Sequence, residues 1–217
     1  MSSEGIIITK NKYTHVIWDF NGTLLDDVGA AVGANNVMLM KRGLKQIEDM
    51  ETFFKMADRP MWDFYREMGF DLESEDYRVI AAEWGELYRE LSSGCTLFPG
   101  AVECLCRFRD MGIPQIVLSA SERNILLHQL TSLGIADFFS EILGLETFHT
   151  IDKTSITQAW RDRNPTAVPI VIGDTENDVK TARILSCDCI LKSGGHRSAQ
   201  SLKKHGYPVI DSLDMLL

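Results

Sequence analysis

The chain is short of several things, and each shortage narrows what it can be. No apolar run is long enough to span a bilayer, so no transmembrane segment is expected. The first residues, Met-Ser-Ser-Glu-Gly, carry no basic start, and Ile6-Ile7-Ile8 is too short for a targeting core; a cytoplasmic protein without a secretory leader is the expectation. Cysteine is sparse and odd in number, five residues at 95, 104, 106, 187 and 189. Neither C-x-C pair has the spacing of a zinc half-site with a matching second half, so reduced, buried thiols are expected. Lysine and arginine are outnumbered by acids, giving a net charge of −9, and they are scattered rather than clustered. That argues against a nucleic-acid partner, whose affinity rests on clustered cations. It does not argue against a phosphorylated ligand, because a pocket holding a cation can oppose the global charge. No internal repeat or low-complexity tract is present.

What is there is the patterning of an ordinary globular protein: 45% hydrophobic and 24% charged over 217 residues, enough for one sizeable core and a smaller second unit. Tyr13 to Asp19 reads as a core strand, with a weaker edge strand over Ile6 to Thr9. From Asp26 the period changes to helical, ending at Gly43. Helices follow over Gln46–Met56, Met61–Met68 and Ser74–Ser93, and nothing between Asp26 and Cys95 reads as a strand. Past Cys95 the rhythm alternates. Helix Ala101–Met111 leads to strand Ile113–Ser119, then helix Ser121–Leu133 and strand Glu141–Leu145. Helix Thr154–Arg163, strand Val168–Asp174, helix Asn177–Leu185 and strand Cys187–Leu191 follow, then a short strand over Tyr207–Ile210 and a brief helix capped by Ser212. Repeated strand–helix units with apolar strands imply an α/β, doubly wound parallel sheet covered on both faces. Residues 1–26 and 95–217 form that expected core, and 27–94 an inserted all-helical cap.

Chemistry-bearing residues recur at or near strand ends in the alternating part. Asp19, Asn21 and Thr23 follow the first strand. Ser119 ends Ile116-Val117-Leu118-Ser119, Lys153 stands at a helix start, and Asp174 and Asp178 lie in Gly173-Asp174-Thr175-Glu176-Asn177-Asp178. Singly, each has a bland reading as a cap, a turn or a solvated residue. Parallel strands put their C-terminal ends on one rim, however, so these side chains can converge.

Asp19-x-Asn21-Gly22-Thr23 resembles the first motif of the haloacid dehalogenase-like (HAD) hydrolase superfamily, and the other three stations follow in that family's order around a helical insert. The resemblance spans the whole layout and is nearest the phosphoglycolate-phosphatase-like branch, in cap type and in Gly194-Gly195-His196-Arg197. It implies a Rossmann-like core and a small phosphorylated substrate. Asp19 would be the nucleophile, and Mg²⁺ would be held by Asp19, the Asn21 carbonyl and Asp174, with Asp178 supporting that shell. Lys153 would neutralise charge. Ser119 and the Gly22, Thr23 and Ala120 loops would hold the phosphoryl oxygens. One departure stands out: most of the family's phosphatases carry a second Asp, the general acid and base, where this chain has Asn21. Three readings stay open. One is a Mg²⁺-dependent phosphatase with weakened turnover. Another is a C–P hydrolase resembling phosphonoacetaldehyde hydrolases, with Lys55 as its Schiff-base lysine. The third is a non-catalytic binder of phosphorylated ligands. Lys55 and Arg59 are the cap residues expected at the substrate.

Overall fold

The structure is a computed structural model that describes residues 8–59, 61–146 and 152–217. In chain order the elements are β1 (His15–Trp18), β2 (Leu25–Asp26), α1 (Val28–Lys41), α2 (Met50–Ala57), α3 (Met61–Glu67), α4 (Tyr77–Ser92), β3 (Thr96–Leu97) and α5 (Ala101–Asp110). There follow β4 (Gln115–Glu122), α6 (Arg123–Ser132), β5 (Glu141–Leu145), α7 (Thr154–Arg163), β6 (Pro169–Gly173), α8 (Glu176–Leu185), β7 (Asp188–Lys192), α9 (Ala199–Lys203) and β8 (Val209–Ile210).

Six strands form one parallel sheet in the order β5-β4-β1-β6-β7-β8. The period-2 alternation of β1 sends neighbouring side chains to opposite faces. Val16 and Trp18 join a cluster with Leu105 and Phe108 of α5 and Leu126 and Leu130 of α6. Ile17 faces Trp160 of α7 and Val179, Ala182 and Leu185 of α8. Each such burial is worth about 1.5–3 kcal/mol. The polar edges buried with them are satisfied: the Trp18 indole donates to Gln115 at 2.9 Å, and the Gln115 amide donates to the Leu105 carbonyl at 2.8 Å. The sheet is therefore doubly wound, as expected. The strand order reverses at β1, and the crevice at such a switch point is where open α/β sheets place ligands.

Helices α1 to α4 are inserted between β2 and β3 and keep a hydrophobic cluster of their own, including Met38, Leu39, Phe53, Tyr65, Phe70 and Ile80. The absence of strand between Asp26 and Cys95 needs one refinement. Leu25–Asp26 and Thr96–Leu97 pair antiparallel where the chain leaves the sheet and returns to it. Two-residue strands are too short to show a period.

Other boundaries move for local reasons. Asp49 accepts from the Thr52 N–H, so α2 starts at Met50 rather than Gln46. Asp76 caps α4, while Ser74 donates instead to Asp71. β4 runs past Ser119 to Glu122 with a register shift after Leu118, and Glu122 rather than Ser121 caps α6. Of the expected edge strand, Ile6 and Ile7 lie outside the described residues, and Ile8–Thr9 is not strand although Ile8 is buried. Leu213–Leu216 forms a short 3₁₀ turn capped by Ser212. All five cysteines are free. Among the described residues, no helix is long and apolar enough to cross a membrane.

Candidate active site

Asp19 leaves β1 with its N–H still bound to the Ile172 carbonyl of β6 at 2.8 Å, so it stands directly beside the end of that strand. Asp174 follows β6, and Ser119 lies in the neighbouring β4. Lys153, the residue before α7, reaches the same spot. Its ammonium pairs with Asp19 Oδ1 and donates to Asp178 Oδ1 at 2.8 Å. All four charged side chains are buried, with exposures of 6% for Asp19, 4% for Lys153, 0% for Asp174 and 1% for Asp178.

The electrostatics are unbalanced toward the anions. Burial first, then the Asp178 charge, pushes the Asp19 carboxyl well above its ordinary range, and Lys153 pulls the other way without cancelling the push. Burial alone would lower Lys153, but the Asp178 and Asp19 charges hold it above its ordinary value and therefore protonated. Thr23 Oγ1 is 3.3 Å from both Asp19 Oδ2 and Asp174 Oδ1, with one hydroxyl proton for two carboxylates.

Oxygens of Asp19, Asp174 and Asp178 lie within 4.8 Å of one another, an all-oxygen donor set of the kind Mg²⁺ prefers. Asp178 is the least available of the three. Its Oδ1 faces Lys153, and its Oδ2 accepts from the N–H groups of Asp174 and Thr175 and from the Thr175 hydroxyl. It closes a capping box on α8 and fixes the turn carrying Asp174.

Two glycines let the loops reach Asp174. Gly22 has φ +73°, and a Cβ there would sit 2.2 Å from Asp174 Oδ2. At Gly195 a Cβ would lie 2.3 Å from the same oxygen and 2.4 Å from the Gly22 carbonyl. The space left is taken by His196, whose backbone N–H donates to Asp174 Oδ2 at 2.6 Å, with the ring Nδ1 at 3.1 Å. Burial would lower the imidazole, but the hydrogen bond and charge of Asp174 raise it to about 9.

Asn21 sits in a network that spans sheet and cap. Its Oδ1 accepts from Ser121 at 2.9 Å and Ser119 at 3.3 Å. Its Nδ2 donates to Asp27 Oδ2 at 3.0 Å and to the Tyr88 hydroxyl of α4 at 2.7 Å. Tyr88 donates in turn to Asp27 Oδ2, and Asp27 Oδ1 accepts from the Gly22 N–H at 2.7 Å. Burial, then the Asp27 charge, raises the Tyr88 phenol and keeps it neutral. Asp27 occupies the N-cap of α1 yet makes no capping bond, because its carboxylate is turned to Gly22, Asn21 and Tyr88.

Most of the residues picked from sequence therefore converge: Asp19, Asn21, Gly22, Thr23, Ser119, Lys153, Asp174 and Asp178. Ala120 and Arg59 line an adjoining cavity of about 420 Å³ between sheet and cap; Asn21, Asp27 and His196 also line it, while Asp19 does not. Lys55 is a correction. It is 71% exposed, pairs with Glu51 one turn earlier at 2.7 Å, and is absent from the cavity wall. The Glu51 hydrogen bond raises its pKa, whereas a Schiff-base lysine needs a lowered one. Sequence reasoning missed Asp27, Tyr88 and Ser121. Asp27 resembles any acid at a helix start, and the contacts to Tyr88 and Ser121 cross 67 and 100 positions from Asn21.

Known proteins resemble the chain in sequence and in fold. The chain is 27% identical to a phosphoglycolate phosphatase of Rhodobacter capsulatus over 188 residues, 84% of this chain and 85% of that one. A second phosphoglycolate phosphatase, from Chromobacterium violaceum, is 24% identical over 86% of this chain and 88% of its own length. Two solved structures show the same fold. A haloacid dehalogenase-like family hydrolase from Streptococcus pneumoniae superposes with a TM-score of 0.68 at 19% identity, covering 92% of this chain and 94% of that one. CbbY from Rhodobacter sphaeroides, solved in complex with phosphate, gives 0.67 at 16% identity, covering 93% and 95%. The sequence pattern described as haloacid dehalogenase-like hydrolase matches residues 16–192, most of the chain and all of the stations above, and the chain belongs to that family.

Proposed function

We propose that the chain is a Mg²⁺-dependent phosphatase of a small phosphorylated ester, acting through an aspartyl-phosphate on Asp19. The observation that carries this reading is the buried meeting of Asp19, Lys153 and Asp174 at the sheet's switch point. An Asp19 oxygen attacks phosphorus, the P–O bond to the leaving alcohol breaks, and the phosphoryl group passes to the carboxylate. Lys153 offsets the negative charge of nucleophile and phosphoryl oxygens. Mg²⁺, held by Asp19 and Asp174 with Asp178 keeping the turn in place, would offset the burial and the Asp178 charge that make Asp19 hard to ionise. The relatives' description as phosphoglycolate phosphatases supports the same class of reaction.

Proton transfer is the weak step. The leaving alkoxide needs a proton, and the water that later hydrolyses the aspartyl-phosphate needs a base. An amide at Asn21 supplies neither. General acid–base help is worth about 10²–10⁴-fold, or about 3–5 kcal/mol of barrier. Turnover is therefore slow for ordinary esters and less affected in its first step for substrates with better leaving groups. The amide's four hydrogen bonds also favour a second reading, a binder of phosphorylated ligands with residual hydrolysis only.

The deciding experiment measures phosphate release from a panel of phosphate esters with Mg²⁺, with EDTA, and in Asp19→Asn. Release that needs Mg²⁺ and vanishes in the variant is expected. Release that survives Asp19→Asn overturns the reading, and saturable binding without release favours the binder.

A further inference from the structure

The cavity beside Asn21 is larger and more aromatic than a two-carbon phosphate ester requires. At about 420 Å³ it falls within the range that takes drug-sized ligands. Its cap wall carries Phe53, Phe64, Tyr65, Tyr77, Trp84 and Tyr88. Trp84 and Tyr88 stack on each other with ring centroids 4.8 Å apart and planes 8° from parallel, so each covers one face of the other and the outer face of the pair is what a flat ligand can meet. The stack starts at the catalytic loop, since Tyr88 is hydrogen-bonded to Asn21.

A second, independent feature points to a ligand. Asn35, on α1, also lines this cavity and is only 2% exposed, yet its Oδ1 has no hydrogen-bond partner. A buried, unpaired amide oxygen costs about 1–3 kcal/mol. A donor on an incoming ligand would remove that cost. Two of the cationic side chains on the wall are already engaged, Arg59 with Glu67 at 3.2 Å and Arg197 with Glu176 at 2.8 Å.

We propose that this cavity selects phosphate monoesters whose alcohol carries a planar aromatic or heteroaromatic ring bearing a hydrogen-bond donor, the ring extending the Trp84–Tyr88 stack on its outer face and the donor meeting Asn35 Oδ1. The inference rests on the phosphatase reading for its phosphoryl end and on the cavity alone for its ring end. Flat rings gain from aromatic faces. A site built to hydrogen-bond a polar group rejects the analogue lacking it.

The test uses the full chain with Mg²⁺ and three esters: 2-(4-aminophenyl)ethyl phosphate, 2-phenylethyl phosphate, which differs only in lacking the amino donor, and phosphoglycolate. Expected are kcat/KM values highest for the donor-bearing ring, about tenfold or more above the donor-free ring. In Asn35→Leu that difference collapses while the ring still outperforms phosphoglycolate. Equal or better kcat/KM for phosphoglycolate overturns the proposal. If no ester is hydrolysed, the phosphatase reading fails separately, and binding decides this one. Tryptophan fluorescence, with Trp84→Phe to assign the signal, then compares the same three compounds. Tighter binding of the donor-bearing ring, weakened by Asn35→Leu, supports the proposal; indifference to the ring refutes it.

Discussion

Replacing Asn21 by Asp restores the family's usual side chain, but in this chain it sets one carboxyl against another. Asn21 Nδ2 is 3.0 Å from Asp27 Oδ2, so the new oxygen would face an acceptor where a donor stood. Two unit charges at that distance repel by roughly 5.5 kcal/mol at an effective dielectric of about 20. The pair avoids most of this by keeping one proton, as carboxylates sharing a site do. Holding that proton at pH 7 on a group of ordinary pKa near 4 costs about 4 kcal/mol, at ~1.4 kcal/mol per unit. The folded-state pKa is raised, so the penalty is near zero below about pH 4 and grows with rising pH until the folded pKa is passed.

The compensating change is Asp27→Asn. The amide introduced at position 27 would still accept from the Gly22 N–H through its carbonyl oxygen. Its NH₂ would donate to the carboxylate introduced at position 21 and to the Tyr88 oxygen, while the Tyr88 hydroxyl turns to that carboxylate. Every donor and acceptor is then satisfied with the charge moved to position 21. Urea denaturation in EDTA between about pH 4.5 and 8 should show Asn21→Asp losing stability steeply with pH and the double variant recovering most of it. Ester hydrolysis should rise above wild type in the double variant, toward the roughly 10²–10⁴-fold of a restored acid and base, and less in the single one. A single variant as stable as wild type at about pH 8, or a loss that ignores pH, refutes the account of Asn21 packed on Asp27.

Three further outcomes are expected. His196 is raised from about 6.5 to about 9, so its contribution, at most about 3 kcal/mol, is complete below pH 6.5 and lost as pH rises through 9. Denaturation of the metal-free protein from about pH 6 to 10 should show this fall in wild type and not in His196→Gln. Gly195→Ala drives a Cβ into Asp174 and the Gly22 carbonyl and should cost about 1–3 kcal/mol with weakened Mg²⁺ protection, read as the shift in thermal midpoint on adding Mg²⁺. Lys55→Ala should change stability by less than about 0.5 kcal/mol and leave phosphate release unaltered, as an exposed pair on α2 allows.

The sheet was legible because apolar strands alternating with helical periods are short-range pattern, whereas the rim residues stood out only through their likeness to a family's motifs in order. Apolar strands ending in Asp19 and Asp174, with Lys153 at a helix start, need only parallel pairing to meet. What escaped depends on side chains choosing partners far along the chain. Asp27 has the sequence context of a helix cap and gives that role up for Tyr88, 61 positions away. Ser121 reads as a helix start, yet the strand's register shift carries it to Asn21. The exposure of Lys55 follows from α2 turning its apolar face, Phe53 and Met56, inward. Periodicity cannot say which way a helix faces a distant loop.

The β2–β3 ladder has a consequence for how such a chain can be rebuilt. It holds the points where the chain enters and leaves the helical insert at the spacing of paired strands, about 5 Å. A tight turn bridges that distance, and so does an insertion of any length whose ends lie side by side. The insert is thus interchangeable in the manner of a cassette: another could be spliced between the same two rungs while Asp19, Lys153 and Asp174 keep their places on the sheet. Asp27, one residue beyond the first rung, is where a grafted insert would have to supply its own counterpart to Tyr88.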